Sequence, residues 1–133
     1  SPVARGFLAD GVADPARLAE KDIRRAMPRF QPEHWPSNAA LLPRWHALAA
    51  EAGCTPAQLA LAWLLSRGEH VIPIPGTTNI AHMRENFAAR DLVVDPALLA
   101  RAGELISQAT VSGPRYNPMG NSEVDAETFE DAA

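Results

Sequence analysis

The sequence predicts an α/β fold that is mostly helical and incomplete, and three observations predict it. Apolar residues recur with helical spacing in four segments between residues 37 and 108. One short all-apolar run, Val71–Ile74 (VIPI), has the composition of a buried strand, which needs both faces covered and a neighbour on each edge. The one further strand candidate lies in residues 1–9, SPVARGFLA, an apolar, small-residue stretch. Two candidates cannot make such a sheet, so the chain reads as part of a larger α/β structure.

Each element has its local reason. Residues 1–9 read as the end of a strand running into a loop. Residues 10–35 are irregular, with Pro15, Pro28 and Pro32 around one short helical candidate near Leu18–Ala26, and RFQPEHW reads as a loop. Ser37 is an N-cap candidate for a helix running to about Ala52 and ended by Gly53. Leu41, Leu42, Trp45, Leu48 and Ala49 form its buried stripe. TPAQ at 55–58 is a stronger start signal: Thr55 as N-cap, Pro56 at N1 and Gln58 at N3, the elements of a capping box. Leu59, Ala60, Ala62, Trp63, Leu64 and Leu65 follow, apolar on nearly all sides, and Gly68 stops the helix.

In the strand, Pro73 and Pro75 both lack an N–H and leave gaps on one side, so its pairing must be short. A helix from about Asn79 to Ala89 follows. Asp95-Pro96 caps a last helix over roughly 96–108, with Leu98, Leu99, Ala102, Leu105 and Ile106 inward. From Ala109 the Gly/Pro/Asn-rich chain reads as extended.

Composition narrows the function classes. With 47% apolar and 21% charged residues the chain matches a globular protein with a core of its own. No apolar run reaches the length of a membrane span, so no membrane partner is expected. The opening SPVARG carries neither an apolar leader nor an initiator Met, the expectation being a processed or partial chain without a signal peptide. The single cysteine, Cys54, excludes an internal disulfide, fits a reducing compartment and reads as structural; the expected location is the cytoplasm. The net charge of −4 is concentrated at the end, in Glu123, Asp125, Glu127, Glu130 and Asp131, which leaves the body nearly neutral. Without a basic stripe, nucleic acid is not an expected partner.

The chemistry concentrates in VIPIPGTTNIAHMRENFAA, residues 71–89. Gly76 permits close backbone approach and φ > 0. Thr77 and Thr78 offer hydroxyls, and the first turn of the next helix offers N–H groups at the positive end of its dipole, which together make an anion site. Asn79 and His82 face the same mouth, and Glu85 and Asn86 on the next turn have the groups to hydrogen-bond a polar ring. The plainer alternative is a Thr-capped helix with a solvated face. SPVARG offers small residues and Arg5 to a phosphate, or is simply a strand end. His34, His46 and His70 lack metal-ligand spacing, and no Ser-His-Asp set, carboxylate pair or cysteine nucleophile is present. Tyr116, the single tyrosine, has no acid–base partner in view.

Taken in order, SPVARGFLAD, RAMPRF, Asn38, CTPAQLALAWLLSRG, VIPIPGTTNIAHMRENFAA and GPRY resemble the C-terminal third of an aldo-keto reductase, over residues 1–116. The resemblance implies a (β/α)8 TIM barrel of which this chain supplies the C-terminal portion, its last strands and helices: residues 1–110 as an incomplete barrel domain, 111–133 as a tail that is acidic at its end. It implies hydride transfer from NADPH, with NADH the alternative, to a small aldehyde or ketone substrate. In that frame Ser1, Val3 and Arg5 match the loop around the cofactor pyrophosphate. Ile74, Gly76, Thr77, Thr78 and Asn79 match the strand end and the adenosine 2′-phosphate pocket, His82 a position approaching that phosphate, and Glu85 and Asn86 the adenine contacts.

Two residues depart from the pattern. Asn79 stands where a basic residue is frequent, and Ala4 where glycine is usual. The catalytic Asp, Tyr, Lys and His of the family have no counterpart here, so the isolated chain is expected to be inactive and to require the N-terminal strands of the barrel. Arg29, Phe30, Trp35 and the tail are the visible contributors to substrate choice. Two other classes remain open: a nucleotide-binding barrel serving as a regulatory or scaffold subunit without turnover, and a self-contained helical binding module.

Overall fold

A computed structural model describes residues 1–124, and the helical segments it shows follow local signals in the sequence. Trp35–Ala39 forms α1, Leu42–Glu51 α2, Pro56–Leu65 α3, Ile80–Ala88 α4, Pro96–Leu105 α5 and Pro118–Ser122 α6. Short 3₁₀ turns cover Ala4–Ala9, Pro15–Arg17, Ile23–Ala26, Pro28–Phe30 and Ala89–Asp91.

The expected single helix from Ser37 to Ala52 is instead two. It starts earlier, at Trp35, so Ser37 lies inside α1 and is not its cap. It breaks at Ala40–Leu41 because Pro43 has no N–H to give back to Ala39 and its ring crowds the preceding turn. The end of α2 matches the expectation. Gly53 sits at φ 66, the Gly53 N–H donates to Ala50 O at 3.1 Å and the Cys54 N–H to Ala49 O at 3.0 Å, the paired bonds of a Schellman cap.

The capping box of α3 is present in both directions: the Gln58 N–H donates to Thr55 Oγ1 at 3.2 Å, and the Thr55 N–H to Gln58 Oε1 at 3.1 Å. The Gln58 side chain also donates to Glu85 O at 3.0 Å, which fixes α4 against α3. Asp95 caps α5 as its position predicts, accepting from Ala97 N at 2.8 Å. That helix ends at Leu105 rather than near residue 108, because Thr110 Oγ1 donates to Leu105 O and draws residues 107–110 into a turn. Beyond Ala109 the chain turns rather than extends, and Asn117-Pro118 starts α6, Asn117 Oδ1 accepting from Gly120 N at 2.8 Å. Of the acidic tail, Asp125, Glu127, Glu130 and Asp131 lie outside the described residues.

The core gathers where apolar faces of α2, α3 and α5 meet. Trp45, Leu48 and Ala49 pack with Leu59 and Ala60 and with Leu98, Ala102 and Leu105, and Phe7, Leu8, Val12 and Phe30 close one end. Trp45, 2% exposed, satisfies its indole by donating Nε1–H to Leu8 O at 3.2 Å. No described helix is by itself long and apolar enough to cross a membrane.

The strand expectation is corrected. Among the described residues there is no strand: Val71–Ile74 is irregular, and Ile72 and Ile74 are 80% and 83% exposed. Pro73 and Pro75 remove two donors from it. The other candidate, residues 1–9, is wound into a 3₁₀ turn and offers no edge. The apolar exposure continues along α4, where Ile80, Met83 and Phe87 at i, i+3 and i+7 are 65%, 54% and 63% exposed. Two neighbouring segments thus expose side chains of core composition, and of these Phe87 is covered in part by the Arg90 guanidinium, 4.3 Å from its ring centroid.

Candidate functional site

The residues expected to hold a ligand fall into two groups. The first is the turn before α4. Thr77 Oγ1 accepts from Asn79 N at 3.1 Å, closing the turn by a hydroxyl rather than a backbone bond. Asn79 is the N-cap: its Oδ1 accepts from Ala81 N at 2.8 Å and from His82 N at 3.4 Å. The N–H groups expected to be free for an anion are thus already turned onto Asn79. A capping carboxamide satisfies the same orphan donors that a phosphate would use. Gly76 does not take a positive φ, and a Cβ built there would meet nothing within 4 Å, so neither conformational freedom nor close backbone approach is what Gly76 supplies here.

Thr77, Thr78, Asn79 and His82 are all exposed, and Ile74 points an apolar side chain at the same solvent. Glu85 and Asn86 are half-buried one turn on, and the Glu85 carbonyl is committed to Gln58. The turn is therefore an open, hydroxyl-rich surface at the positive end of a nine-residue helix.

The second group is the N-terminal loop. Ala4, Arg5 and Gly6 have φ of 49°, 58° and 89°, three successive residues in the left-handed region, two of them not glycine. Such a run costs on the order of 1–2 kcal/mol per non-Gly residue and needs external support. Ser1 Oγ accepts from Arg5 N at 2.8 Å, and Arg24 Nη1 donates to Arg5 O at 3.2 Å. Arg24 is held in turn by a bidentate pair with Asp22, Nε to Oδ1 at 2.9 Å and Nη2 to Oδ2 at 2.6 Å. That pair pulls the Asp22 carboxyl down to about 2, the hydrogen bonds from Arg24 being the main cause. Val3 is part of the packing beneath the loop.

This loop forms one wall of a cavity of about 100 Å³, with Phe30, Ile106, Arg29, Arg115 and Tyr116 opposite. The guanidinium of Arg5 lies over the Tyr116 ring, 5.0 Å from its centroid. Arg29 Nε donates to Gly113 O at 3.1 Å, and Phe30 stacks on Trp35 at 5.8 Å. Burial, then the charges of Arg115 and Arg5, push the Arg29 guanidinium below its ordinary pKa. Ser1 and Arg5 are thus brought together, whereas none of residues 74–86 lines this cavity.

Sequence reasoning did not find Arg24, Arg115 or the joining role of Asn38. The signal for Asn38 is a lone amide among apolar helix positions; Arg24 acts on carbonyls 13 and 19 residues away, and Arg115 reaches the cavity from a segment far along the chain, which spacing does not reveal. His34 is structural, its Nδ1 lying 2.9 Å from Ser112 Oγ. Cys54 is half-buried, and burial raises its thiol pKa, the opposite of what a nucleophile needs.

Comparison with known proteins agrees with the motif order. The model of the aldo/keto reductase family matches residues 1–106. The chain is 36% identical over 128 residues to a Schizosaccharomyces pombe protein named aldo-keto reductase yakc (NADP(+)). That match covers 96% of this chain and 38% of the relative, so the chain spans well under half of the curated protein it resembles. The chain belongs to the aldo/keto reductase family.

Proposed function

We propose that this chain is the C-terminal, cofactor-gripping portion of an NADP(H)-dependent aldo-keto reductase barrel that reduces small aldehydes and ketones to alcohols in the cytoplasm. The observation that carries the reading is the exposed Thr77–His82 turn at the start of α4, within a match to the family that spans most of the chain. The name of the yeast relative supports NADP as the cofactor. The exposure of Ile72, Ile74, Ile80, Met83 and Phe87 supports a larger barrel body, whose preceding strands would cover these side chains.

The donor set of the turn fits a phosphate. Thr77 and Thr78 supply hydroxyls, His82 a ring N–H, and α4 its positive end, with Asn79 organising the helix start instead of giving charge. Ser1, Val3 and Arg5 would border the pyrophosphate, and Glu85 and Asn86 the adenine. When bound, the nicotinamide supplies the hydride. This chain's residues bind and orient the cofactor, and among the described residues none stands for the family's catalytic Asp, Tyr, Lys and His.

Titration calorimetry with NADPH on the longer protein tests this. Thr78→Ala and His82→Ala are expected to weaken binding by about tenfold or more, the scale of a lost charge-assisted hydrogen bond. Unchanged affinity in both variants would remove the turn from the cofactor site.

A further inference from the structure

The left-handed run at Ala4, Arg5 and Gly6 is held from outside, and its supports are unequal. Trp45 and His46 on α2 reach the exit of the loop: Trp45 Nε1–H donates to Leu8 O at 3.2 Å, and His46 Nε2 lies 2.7 Å from Asp10 Oδ1. Among the described residues, the side chain from beyond residue 11 that bonds the backbone of the run itself is Arg24. Its Nη1 donates to Arg5 O at 3.2 Å and to Gly11 O at 3.5 Å. Those two carbonyls stand at the two ends of the loop, which the Gly11 N–H closes by donating to Gly6 O at 2.8 Å. The fit leaves no slack: a Cβ on Gly6 would lie 3.3 Å from Arg24 Nη1, and one on Gly11 would lie 3.1 Å from Gly6 O. Asp22 fixes Arg24 at three points. Its Oδ1 accepts from Arg24 N at 3.0 Å and from Nε at 2.9 Å, and its Oδ2 accepts from Nη2 at 2.6 Å. The side chains of Arg24 and Asp22 are only 21% and 18% exposed. The carboxylate neutralises the guanidinium, so the pair contributes geometry to the loop rather than net charge.

We propose that Arg24, locked by Asp22, is a positioning residue: it holds the left-handed loop in the form that receives the cofactor pyrophosphate, without itself touching the cofactor. This role rests on the reductase reading, which gives Ser1, Val3 and Arg5 that contact. A strained segment persists only where its surroundings over-determine it, and a loop ordered beforehand loses less entropy when its ligand binds. With Arg24 withdrawn, Arg5 O loses its donor and Ala4 and Arg5 relax toward negative φ. The Arg5 guanidinium then moves with its backbone, away from its place over the Tyr116 ring.

The test compares two ligands by calorimetry on the longer protein that carries the rest of the barrel. One is NADPH; the other is adenosine 2′-phosphate, which by the same reading reaches the Thr77–His82 turn but has no pyrophosphate. Asp22→Asn is the deciding variant, because two mechanisms give it opposite signs. It removes a negative charge beside the loop, so a direct pull of Arg24 on the phosphates predicts tighter NADPH binding, whereas loss of positioning predicts weaker binding. Asp22→Asn is expected to weaken NADPH by roughly threefold or more and Arg24→Met by about tenfold, with adenosine 2′-phosphate within about twofold of the parent in both. Arg24→Lys keeps the charge but not the planar fork, and is expected to bind NADPH as weakly as Arg24→Met. Unchanged or tighter NADPH binding in Asp22→Asn, or recovery of binding in Arg24→Lys, would overturn the positioning role and leave the reductase reading standing. Equal weakening of both ligands would also overturn it, by showing a general loss of structure. Failure of the parent protein to bind either ligand would refute the reductase reading, and the positioning role with it.

Discussion

Asn38 and Ser112 exchange hydrogen bonds across 74 residues of chain: the Ser112 N–H donates to Asn38 Oδ1 at 2.8 Å, and Asn38 Nδ2 donates back to Ser112 O at 3.0 Å. The same amide nitrogen donates to Arg29 O at 3.0 Å. Asn38 is 2% exposed, so one carboxamide on α1 stitches the 3₁₀ turn carrying Arg29 to the segment carrying Gly113 and Arg115. Asn38→Ala strands a buried donor and is expected to cost about 1–3 kcal/mol. Asn38→Asp, which aims a carboxylate at two carbonyl oxygens, is expected to cost more. Denaturant midpoints check both, and an alanine variant within about 0.5 kcal/mol of the parent would contradict the stitching role.

The Asp22–Arg24 pair predicts a pH dependence with a definite sign. The folded carboxyl titrates at about 2, below its ordinary value, so the pair's contribution is complete above an unfolded carboxylate pKa of about 3.9 and is lost as pH falls through about 2. Stability measured from pH 5 downward is expected to fall less steeply in Asp22→Asn than in the parent over roughly that window. Identical slopes would show that the carboxylate is not linked to folding. Because Arg24 also holds Arg5 O, the same variant is expected to broaden the backbone signals of Ala4 to Gly6.

Thr55→Ala removes one arm of the capping box and is expected to destabilise the chain by about 1 kcal/mol. Gln58→Ala removes the other arm together with the bond to Glu85 O, so it is expected to cost more and to raise amide exchange across α4 as well as at the start of α3. Equal losses confined to α3 would show that α4 is held by packing alone.

Asn79 caps α4, and a substitution there separates that role from the cofactor contact proposed for it. Asn79→Ala removes the cap and is expected to lower stability by about 1 kcal/mol with little change in the ratio of NADPH to NADH affinity. Asn79→Lys removes the same cap but adds a cation and frees the Ala81 and His82 N–H groups, so NADPH affinity is expected to rise about tenfold over NADH. An unchanged cofactor ratio in the lysine variant would place the 2′-phosphate elsewhere.

The legible parts of this molecule are those set by residues close in sequence. Thr55, Pro56 and Gln58 specify the start of α3, Gly53 the end of α2, and Asp95 the start of α5, because each cap is a bond within a few residues. Pro43 was equally visible, and its effect on the helix begun at Trp35 follows from a missing N–H that the apolar stripe of Leu41 to Ala49 masks. The strand at Val71–Ile74 was legible as composition and absent as structure, because a strand exists only with a neighbour to receive its hydrogen bonds.

The candidate site divides in the same way. The Thr77–His82 turn could be found from its own residues, although the capture of helix N–H groups by Asn79 follows from an N-cap preference that competes with an anion-binding one. The cavity of Arg5, Arg29 and Arg115 could not be found so, because it is assembled by Asn38 and Arg24 from segments distant in the chain.

These residues are proposed to grip the cofactor without the family's catalytic Asp, Tyr, Lys and His. NADPH oxidation with a model aldehyde tests this most directly, using the pure 133-residue chain alone and after refolding with a polypeptide carrying the preceding strands of an aldo/keto reductase barrel. No turnover is expected from the chain alone, and turnover in the mixture is expected to be lost with His82→Ala at limiting NADPH. Sustained NADPH oxidation by the chain alone would contradict this expectation.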